Sequence, residues 1–366
     1  MAQYTMIGYV YETRKWALNI LDKSAELCAD FAKKVAERGY KRIWLVASGT
    51  SNNACITAKY FMEKTLGIPC VVVTSYDFAH YENIFYPETD VVVAVSQEGE
   101  STNTIDAIER ANALGIDTFI VTEDVNNTST QIAGGKVTIA CGREYFGPKT
   151  KGYTCTVLTL YIMAVEAAKA CGKIDEAQYA DLLARMRKTV DNIDNVAKAS
   201  EAWFEANKED LLPCEKCYVI GYGANYGTAI EGALKSLETV RYTFFSFSME
   251  EYLHGPLASM KPDVYAILVS PPSYGYERMN GLFKVMFEQH DHVYSIGRQE
   301  GFTSPHIMEG PFINDEDFST LEYCVPLQLF AYLLYTAKGI DLEVRNYPRT
   351  KGALPTKAKE LERPKD

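Results

Sequence analysis

The sequence has 366 residues, of which 47% are hydrophobic, 12% aromatic and 23% charged. These proportions are ordinary for a folded protein with a substantial core, so they exclude wholesale disorder and a collagen-like structure. Lysine and arginine number 37 against 48 acidic residues, which gives a net charge of −11. So acidic a chain is a poor partner for duplex nucleic acid or an anionic membrane, although a local pocket can still bind a small anion.

The sequence shows no sign of a membrane span or a secretory leader. Its longest apolar stretches, such as 157–165, fall far short of the ~20 residues that cross a bilayer. Residues 1–14 are polar and charged where a secretory signal has an apolar core, so we expect a cytoplasmic protein. The nine cysteines are scattered, and the C-x-x-C pair of Cys214 and Cys217 lacks further ligands at zinc spacing. We therefore predict reduced thiols and no metal site.

The predicted elements, taken in chain order, reveal an internal repeat. After a helical N-terminal segment, a buried strand is predicted over 42–49 and a helix over 52–64. The strand pattern recurs at 216–223, again followed by a helix, and the turn glycines Gly49 and Gly223 are offset by 174 residues. A repeat of this kind indicates duplication of one structural unit.

Two further strand pairs keep the same spacing. The strand beginning at Asp90 matches one beginning at Asp263, an offset of 173 residues, and Asp117 matches His292 at an offset of 175. Continuous β-branched runs that alternate with helices are typical of parallel strands buried on both faces. The sequence therefore predicts an α/β fold made of two doubly wound, parallel-sheet halves.

These patterns divide the chain into five predicted segments. We expect an N-terminal helical arm (1–34), a first half (35–172), a connecting helical segment (173–204), a second half (205–340) and an irregular C-terminal tail (341–366).

Polar turns follow two strands of the first half. The turn 48–52 ends the first strand and opens a helix, and the turn 96–104 does the same for the strand that begins at Asp90. Hydroxyls beside the backbone N–H groups of a helix start form a binding site for phosphate. The simpler interpretation is that Ser51 and Ser101 or Thr102 only cap their helices, but two such turns in one half favour an anion site. We call 48–52 and 96–104 the cradle turns.

The second half carries a different constellation. Glu231, Lys235 and Glu238 lie at i, i+4 and i+7 and therefore share one face of a predicted helix. Such a stripe is commonly a solvated set of ion pairs, but the apolar neighbours here indicate that it can face a cleft. Farther along, His254 precedes Gly-Pro in a loop, and with a nearby carboxylate it becomes an acid/base candidate.

The combination of motifs resembles a known family. The G-T-S turn (49–51), the S-Q-x-G-x-S turn (96–101), the E-G-A-L-K-x-x-E helix (231–238) and the E-x-x-H-G-P loop (251–256) are similar to those of sugar isomerase (SIS) domain proteins. The chain most resembles the isomerase half of the glucosamine-6-phosphate synthases and the fructosamine-6-phosphate deglycases, over about residues 35–351. Each motif is weak alone, but their order and spacing are specific.

The resemblance implies roles for individual residues of the cradle turns. It assigns sugar-phosphate binding to Ser51, Ser96, Gln97, Ser101 and Thr104.

It also implies the catalytic groups. Glu238 falls on the carboxylate that moves a proton between C1 and C2 of the open-chain sugar, and His254 on the histidine that assists ring opening from the neighbouring subunit. Glu231 and Lys235 match the isomerase helix, where Glu231 would contact substrate, and Lys351 lies near the isomerase's tail lysine. We expect residues 238 and 254, the latter from a partner chain, to converge over the bound anion.

Two departures from the family pattern affect the prediction. Glu98 stands where the synthase pattern has serine, so it either points away, meets a cationic group such as a substrate amine, or indicates a substrate without phosphate. The glutaminase domain of the synthases is absent from this sequence, so we do not expect this chain alone to carry out glutamine-dependent synthesis.

The leading functional hypothesis is therefore a homodimeric, cofactor-free deglycase. Its substrate would be a 6-phosphorylated fructosamine or glucosamine-type amino acid adduct, cleaved to hexose 6-phosphate and amine through an enediol or enolamine. The segment Gly221-Tyr222-Gly223 lacks the further glycine of a dinucleotide site, so no cofactor is predicted. Two alternatives remain open: an aminosugar-phosphate isomerase or deaminase, and a sugar-phosphate sensor without catalysis.

Overall fold

The computed structural model describes residues 5–344 and 353–359. They form two compact units. Unit A consists of Lys15–Tyr145, Lys151–Ala184 and the described residues from Glu343 onward, and unit B consists of the described residues up to Arg14, Phe146–Thr150 and Arg185–Leu342.

Unit A contains a five-stranded parallel sheet, sheet A, with the order β2-β1-β3-β4-β5. Its strands are β1 (Arg42–Ala47), β2 (Cys70–Thr74), β3 (Asp90–Val95), β4 (Asp117–Thr122) and β5 (Gly135–Thr138). The α-helices between the N-terminus and residue 170 are α1 (Met6–Asp22), α2 (Ser24–Arg38), α3 (Thr50–Leu66), α4 (Ser75–His80), α5 (Thr102–Ala113), α6 (Thr128–Ile132) and α7 (Lys151–Ala170).

Helices cover both faces of sheet A, which explains why its central strands read as unbroken apolar runs. All six residues of β3 are buried. On one face, α4 and α5 pack against Trp44 and Val92, while on the other Phe31 of α2 meets Phe119 of β4 edge to face at 5.3 Å. Because successive strand side chains point to opposite faces, only a run that is apolar at every position can serve both layers.

Unit B repeats this architecture. After α8 (Glu176–Asp191), its elements are α9 (Ile193–Leu211), β6 (Lys216–Gly221), α10 (Asn225–Thr239), β7 (Thr243–Ser248), α11 (Met249–Leu253), β8 (Tyr265–Val269), α12 (Tyr276–Phe287), β9 (Val293–Ile296), β10 (Ile307–Met308) and α13 (Thr320–Ala337). The strands form the parallel sheet B, with the order β10-β9-β8-β6-β7. Numbered within each half, both sheets have the order 2-1-3-4-5, which confirms the predicted duplicated fold.

The element bounds differ from the sequence expectations at the helices. The N-terminal arm is two helices, and α2 continues to Arg38, past the expected end at 34. The connecting segment is also two helices, which meet at Asn192, and α9 continues to Leu211, past the expected boundary at 204. Polar helical surfaces carry little signal for an exact end because tertiary packing of the buried face sets helix length. In the described part of the chain, no helix combines the length and apolar character needed to span a bilayer.

A carboxylate at the start of β4 connects the sheet to α2. Asp117 accepts hydrogen bonds from Arg38 Nε at 2.9 Å and Tyr40 OH at 2.7 Å, and Lys34 Nζ lies 3.6 Å away. Partial burial by itself raises the pKa of Asp117, but the two hydrogen bonds and the lysine charge outweigh it and hold the pKa below its usual value. A lowered pKa means that the carboxylate stabilises the fold in its ionised form.

We expect Asp117→Asn to reduce the free energy of unfolding by about 1–2 kcal/mol at pH 7. Because the folded-state pKa is depressed, this contribution is present above the unfolded-state pKa, near 4, and is lost as the pH falls through the folded value. Urea unfolding of both proteins at pH 7 and pH 3 measures it. An equal difference at both pH values would show that the ionised carboxylate is not responsible.

Candidate active site

The cradle turns lie at the switch point of sheet A. From β1 the sheet grows to β2 on one side and to β3 on the other, so the loops after β1 and β3 diverge at the carboxyl edge. Ligands of open parallel sheets bind in the crevice that this divergence leaves. The turns 48–52 and 96–104, singled out from the sequence, are the ones that border it.

Side-chain hydrogen bonds tie the two cradle turns together. Asn103 Nδ2 donates to Ser48 Oγ at 2.8 Å, which links the loop after β1 to the start of α5. Within the second turn, Ser96 Oγ accepts from the backbone N–H of Gly99 at 3.2 Å and donates to Ser101 Oγ at 3.3 Å. The hydroxyls are therefore held in place before any ligand arrives, which lowers the entropic cost of binding.

The alternative that these hydroxyls only cap their helices is not supported. The residue before α3 is Gly49, with φ 57°, and Ser51 lies inside the first helical turn. Ser101 precedes α5 but makes no side-chain cap hydrogen bond. The positive ends of both helix dipoles thus point at the crevice, where they favour an anion.

The shape of the second turn depends on two glycines. Gly99 has φ 67°, and a Cβ there would overlap the Asn127 side chain. A Cβ on Gly152, at the start of α7, would overlap Gln97 Oε1. The Gln97 side chain is therefore packed directly against the α7 backbone, and Thr122 Oγ1 donates to its carbonyl at 3.2 Å.

Two predicted cradle residues have partners that the sequence did not indicate. Thr104 is 1% exposed and its hydroxyl lies 3.0 Å from that of Ser75, so it is buried between α4 and α5 and not presented to the crevice. Glu98 forms an ion pair with Lys357 of the C-terminal segment. Of the three possibilities considered for Glu98, the structure shows that it meets a cation, and the cation belongs to this chain.

The equivalent switch point of sheet B is filled by a side chain. Tyr222, directly after β6, is buried, and its hydroxyl donates to the carbonyl oxygen of Pro271 after β8. A Cβ on Gly275 would lie 2.6 Å from the Tyr222 ring. An aromatic side chain thus follows β6 in sheet B, at the position where the turn after β1 carries the hydroxyl of Ser48.

The stripe on α10 is mostly buried. Lys235 and Glu231 side chains are each 1% exposed and 3.4 Å apart, and Lys235 also pairs with Glu238. Burial by itself would lower the pKa of Lys235, but the two carboxylates outweigh it and raise that pKa above its usual value, so the ammonium keeps its proton. The stripe is therefore not a solvated salt-bridge face.

Glu238 differs from its two neighbours. Its side chain is 38% exposed. An exposed carboxylate held by a buried ammonium is oriented and remains accessible to a substrate.

His254 lies at a different edge of sheet B. It follows α11, at the carboxyl end of β7, and is exposed. The pKa of the nearby Glu250 is lowered mainly by the hydrogen bond from Arg278, and His254 lowers it further. Glu238 lies near the end of α10, which runs back to the start of β7. Since β7 spans about 20 Å, Glu238 and His254 of one chain do not converge, and the predicted convergence requires His254 from a second chain.

One predicted site residue cannot be placed, and three residues near the site were not predicted. Lys351 falls outside the described residues. Ser48, Asn103 and Lys357 were missed from the sequence: the first two sit beside the selected hydroxyls, and polarity at a strand end was the available signal. Lys357 had no signal, because its partner Glu98 is 259 residues away. Among the described residues, no group of three or more His, Cys, Asp or Glu could hold a metal ion.

Comparisons with known proteins identify the family to which this fold belongs. The SIS domain model matches residues 38–168. A glutamine–fructose-6-phosphate aminotransferase (isomerizing) of Pyrococcus horikoshii is 29% identical over 317 residues, which is 84% of this chain but 51% of that protein. The chain therefore spans about half the length of the curated relatives it matches.

Two solved structures cover nearly the whole fold. A protein of Clostridium difficile 630 assigned as a phosphosugar isomerase has a TM-score of 0.89 and 26% identity, with 98% of this chain and 99% of that chain covered. One of Salmonella typhimurium LT2 assigned as a sugar-binding protein is 31% identical, with a TM-score of 0.79 over 89% of this chain and 99% of that one.

Two parallel five-stranded sheets with surrounding helices define a duplicated α/β protein. The chain belongs to the SIS domain family of sugar isomerase proteins.

Proposed function

We propose that the protein is a cytoplasmic, cofactor-free deglycase of 6-phosphorylated sugar–amine adducts. It would cleave a fructosamine or glucosamine-type amino acid adduct to hexose 6-phosphate and amine. Anion binding is assigned to the cradle turns, and proton transfer to Glu238.

The chemistry requires a base that moves a proton at a carbon beside a carbonyl or imine. Removal of that proton gives an enediol or enolamine; after tautomerisation, water releases the amine. A carboxylate serves as the base, and an adjacent ammonium stabilises the oxyanion that develops. The observation that carries the proposal is the α10 arrangement, in which buried Lys235 holds the accessible carboxylate of Glu238.

The test is a panel of 6-phosphorylated fructose–amino acid and glucose–amino acid adducts, with hexose 6-phosphate release followed by mass spectrometry. We expect turnover of at least one adduct, and no phosphate-free counterpart should be cleaved at a comparable rate. Absence of turnover across the panel would contradict the deglycase assignment.

One alternative has its own support. Lys235, which matches the isomerase helix, is buried between two carboxylates, and this favours an aminosugar-phosphate isomerase or deaminase. Release of ammonia from glucosamine 6-phosphate, without cleavage of any adduct, would establish that function instead. Tight hexose 6-phosphate binding without any turnover would indicate a sensor.

The anion assignment predicts a specific effect at Ser96. We expect Ser96→Ala to raise the Kd for glucose 6-phosphate by about tenfold, because the hydroxyl that organises Gly99 and Ser101 is lost. Cys217→Ala is the control: Cys217 is equally inaccessible but lies within β6. Calorimetric titration measures both, and equal, negligible changes would rule out the cradle.

The proposed active site is shared between two chains, since one chain separates Glu238 from His254. The test mixes two inactive variants, Glu238→Gln and His254→Ala, and allows subunits to exchange. Random assembly gives one intact site in half of the dimers, so activity should return to about a quarter of the wild-type value. No recovery, with exchange verified by native mass spectrometry, would exclude the shared site.

A further inference from the structure

The described C-terminal residues form a strand-like contact with the second cradle turn. The backbone N–H of Ala358 donates to the carbonyl oxygen of Glu100 at 2.8 Å, and that of Thr102 donates to Thr356 O at 3.1 Å. Ser101 and Lys357 form an antiparallel bridge between these bonds. We name Pro355–Ala358 the strap; its bonds to the second cradle turn join residues of unit A only.

The strap places a lysine beside Glu98, the carboxylate that stands where the family pattern has serine. Lys357 pairs with Glu98, and the two side chains are 36% and 21% exposed, so the pair lies at the surface of the turn, where ions from solvent can reach it. Glu98 immediately follows Ser96 and Gln97, two of the predicted phosphate-binding residues. Without a cation, its negative charge would repel a phosphate from the same turn.

The neighbouring acidic group does not need the strap. Glu100 is 3% exposed, and its carboxylate accepts from Thr128 N at 3.0 Å and Thr128 Oγ1 at 2.7 Å. It is therefore satisfied inside unit A by α6. Glu98 is therefore the carboxylate of this turn that pairs with a lysine of the strap.

We propose that the strap is a charge-neutralising part of the anion site, and that Lys357 is a specificity-determining residue which allows a turn containing Glu98 to accept a phosphate monoester. The inference rests on the proposed function, since it assumes that the cradle turns bind the phosphate. The backbone pairing holds Lys357 in place, and the ion pair removes the net charge that Glu98 would otherwise bring. The C-terminal segment is thus part of the binding site.

A four-protein cycle tests the proposal with glucose 6-phosphate as the probe: wild type, Lys357→Gln, Glu98→Gln and the double variant. We expect Lys357→Gln to raise the Kd by about tenfold, because Glu98 is left uncompensated, and the double variant to return to within about threefold of wild type. Glu98→Gln alone should bind as tightly as wild type or more tightly. The effect of Lys357→Gln should shrink in high salt.

Two further variants separate charge from position. Ala358→Pro removes the N–H that bonds to Glu100 but keeps Lys357, and should raise the Kd in the same direction. Lys359→Gln makes the same charge change at an exposed position two residues farther on, and should leave the Kd unchanged.

The opposite pattern would overturn the proposal. If Lys357→Gln binds as tightly as wild type or more tightly, or if Glu98→Gln weakens binding, then Glu98 does not act as a neutralised carboxylate. If the wild-type protein binds no hexose 6-phosphate, the proposed function itself fails, and the inference with it. Binding by wild type that none of the strap variants changes refutes the strap alone.

Discussion

Glu238→Gln should reduce kcat by about 10²–10⁴-fold, because it removes the group to which we assign proton transfer between C1 and C2. The Kd for glucose 6-phosphate should change by less than about threefold, since the anion is assigned to other residues and glutamine preserves the shape of the side chain. Steady-state kinetics on a cleaved adduct and calorimetric titration measure the two effects separately.

A control variant distinguishes a site effect from a general effect of charge. Glu277→Gln makes the same change at an exposed position of α12 and should leave both kcat and Kd as in wild type. Full activity of Glu238→Gln would contradict the proposed catalytic role of Glu238. Loss of activity together with loss of ligand binding would instead place Glu238 among the binding residues.

Lys235→Met should produce the largest loss of stability. The ammonium lies between two carboxylates, and one of them, Glu231, is 1% exposed. Removing one partner of a buried ion pair costs about 3–5 kcal/mol, because the remaining charge stays buried without its compensation. Urea unfolding at pH 7 measures the change in free energy of unfolding.

The double variant Lys235→Met, Glu231→Gln shows whether uncompensated charge is the cause. It should recover most of the lost stability, since an apolar and a neutral side chain replace the buried pair. Lys208→Met on α9 removes a lysine from a more exposed pair and should cost less than about 1 kcal/mol. A Lys235→Met protein as stable as wild type would mean that the buried pair is not held together by charge.

Much of the candidate site followed from residue patterns because it depends on local rules. β1 and β3 are buried on both faces, so each is an apolar run that ends at a polar turn. Gly49 and Ser96 lie in those turns, within two residues of the strand end that they follow. The stripe of Glu231 and Lys235 is set by helical spacing alone. The burial of this stripe was not predictable, because i, i+4 spacing is the same on a solvated face and a packed one.

Other features depend on contacts between distant segments. Asn103 reaches Ser48 across 55 residues, Tyr222 fills the second switch point by contacting a loop after β8, and Thr104 is buried because Ser75 lies opposite it. None of these pairings leaves a pattern in the local sequence. Polarity at a strand end marked the region of the cradle turns but could not say which hydroxyls face the crevice.

The sequence by itself determined that the chain is a duplicated α/β protein, where the strands β1, β3, β4 and β6 begin, and which polar turns follow β1 and β3, since hydrophobic periodicity and turn chemistry are local properties. The tertiary structure decided that Tyr222 fills the switch point of sheet B, that Glu238 is accessible while Lys235 is buried, and that Lys357 meets Glu98. These outcomes are set by packing and by charges brought together over long chain separations, and a one-dimensional pattern does not encode such distances.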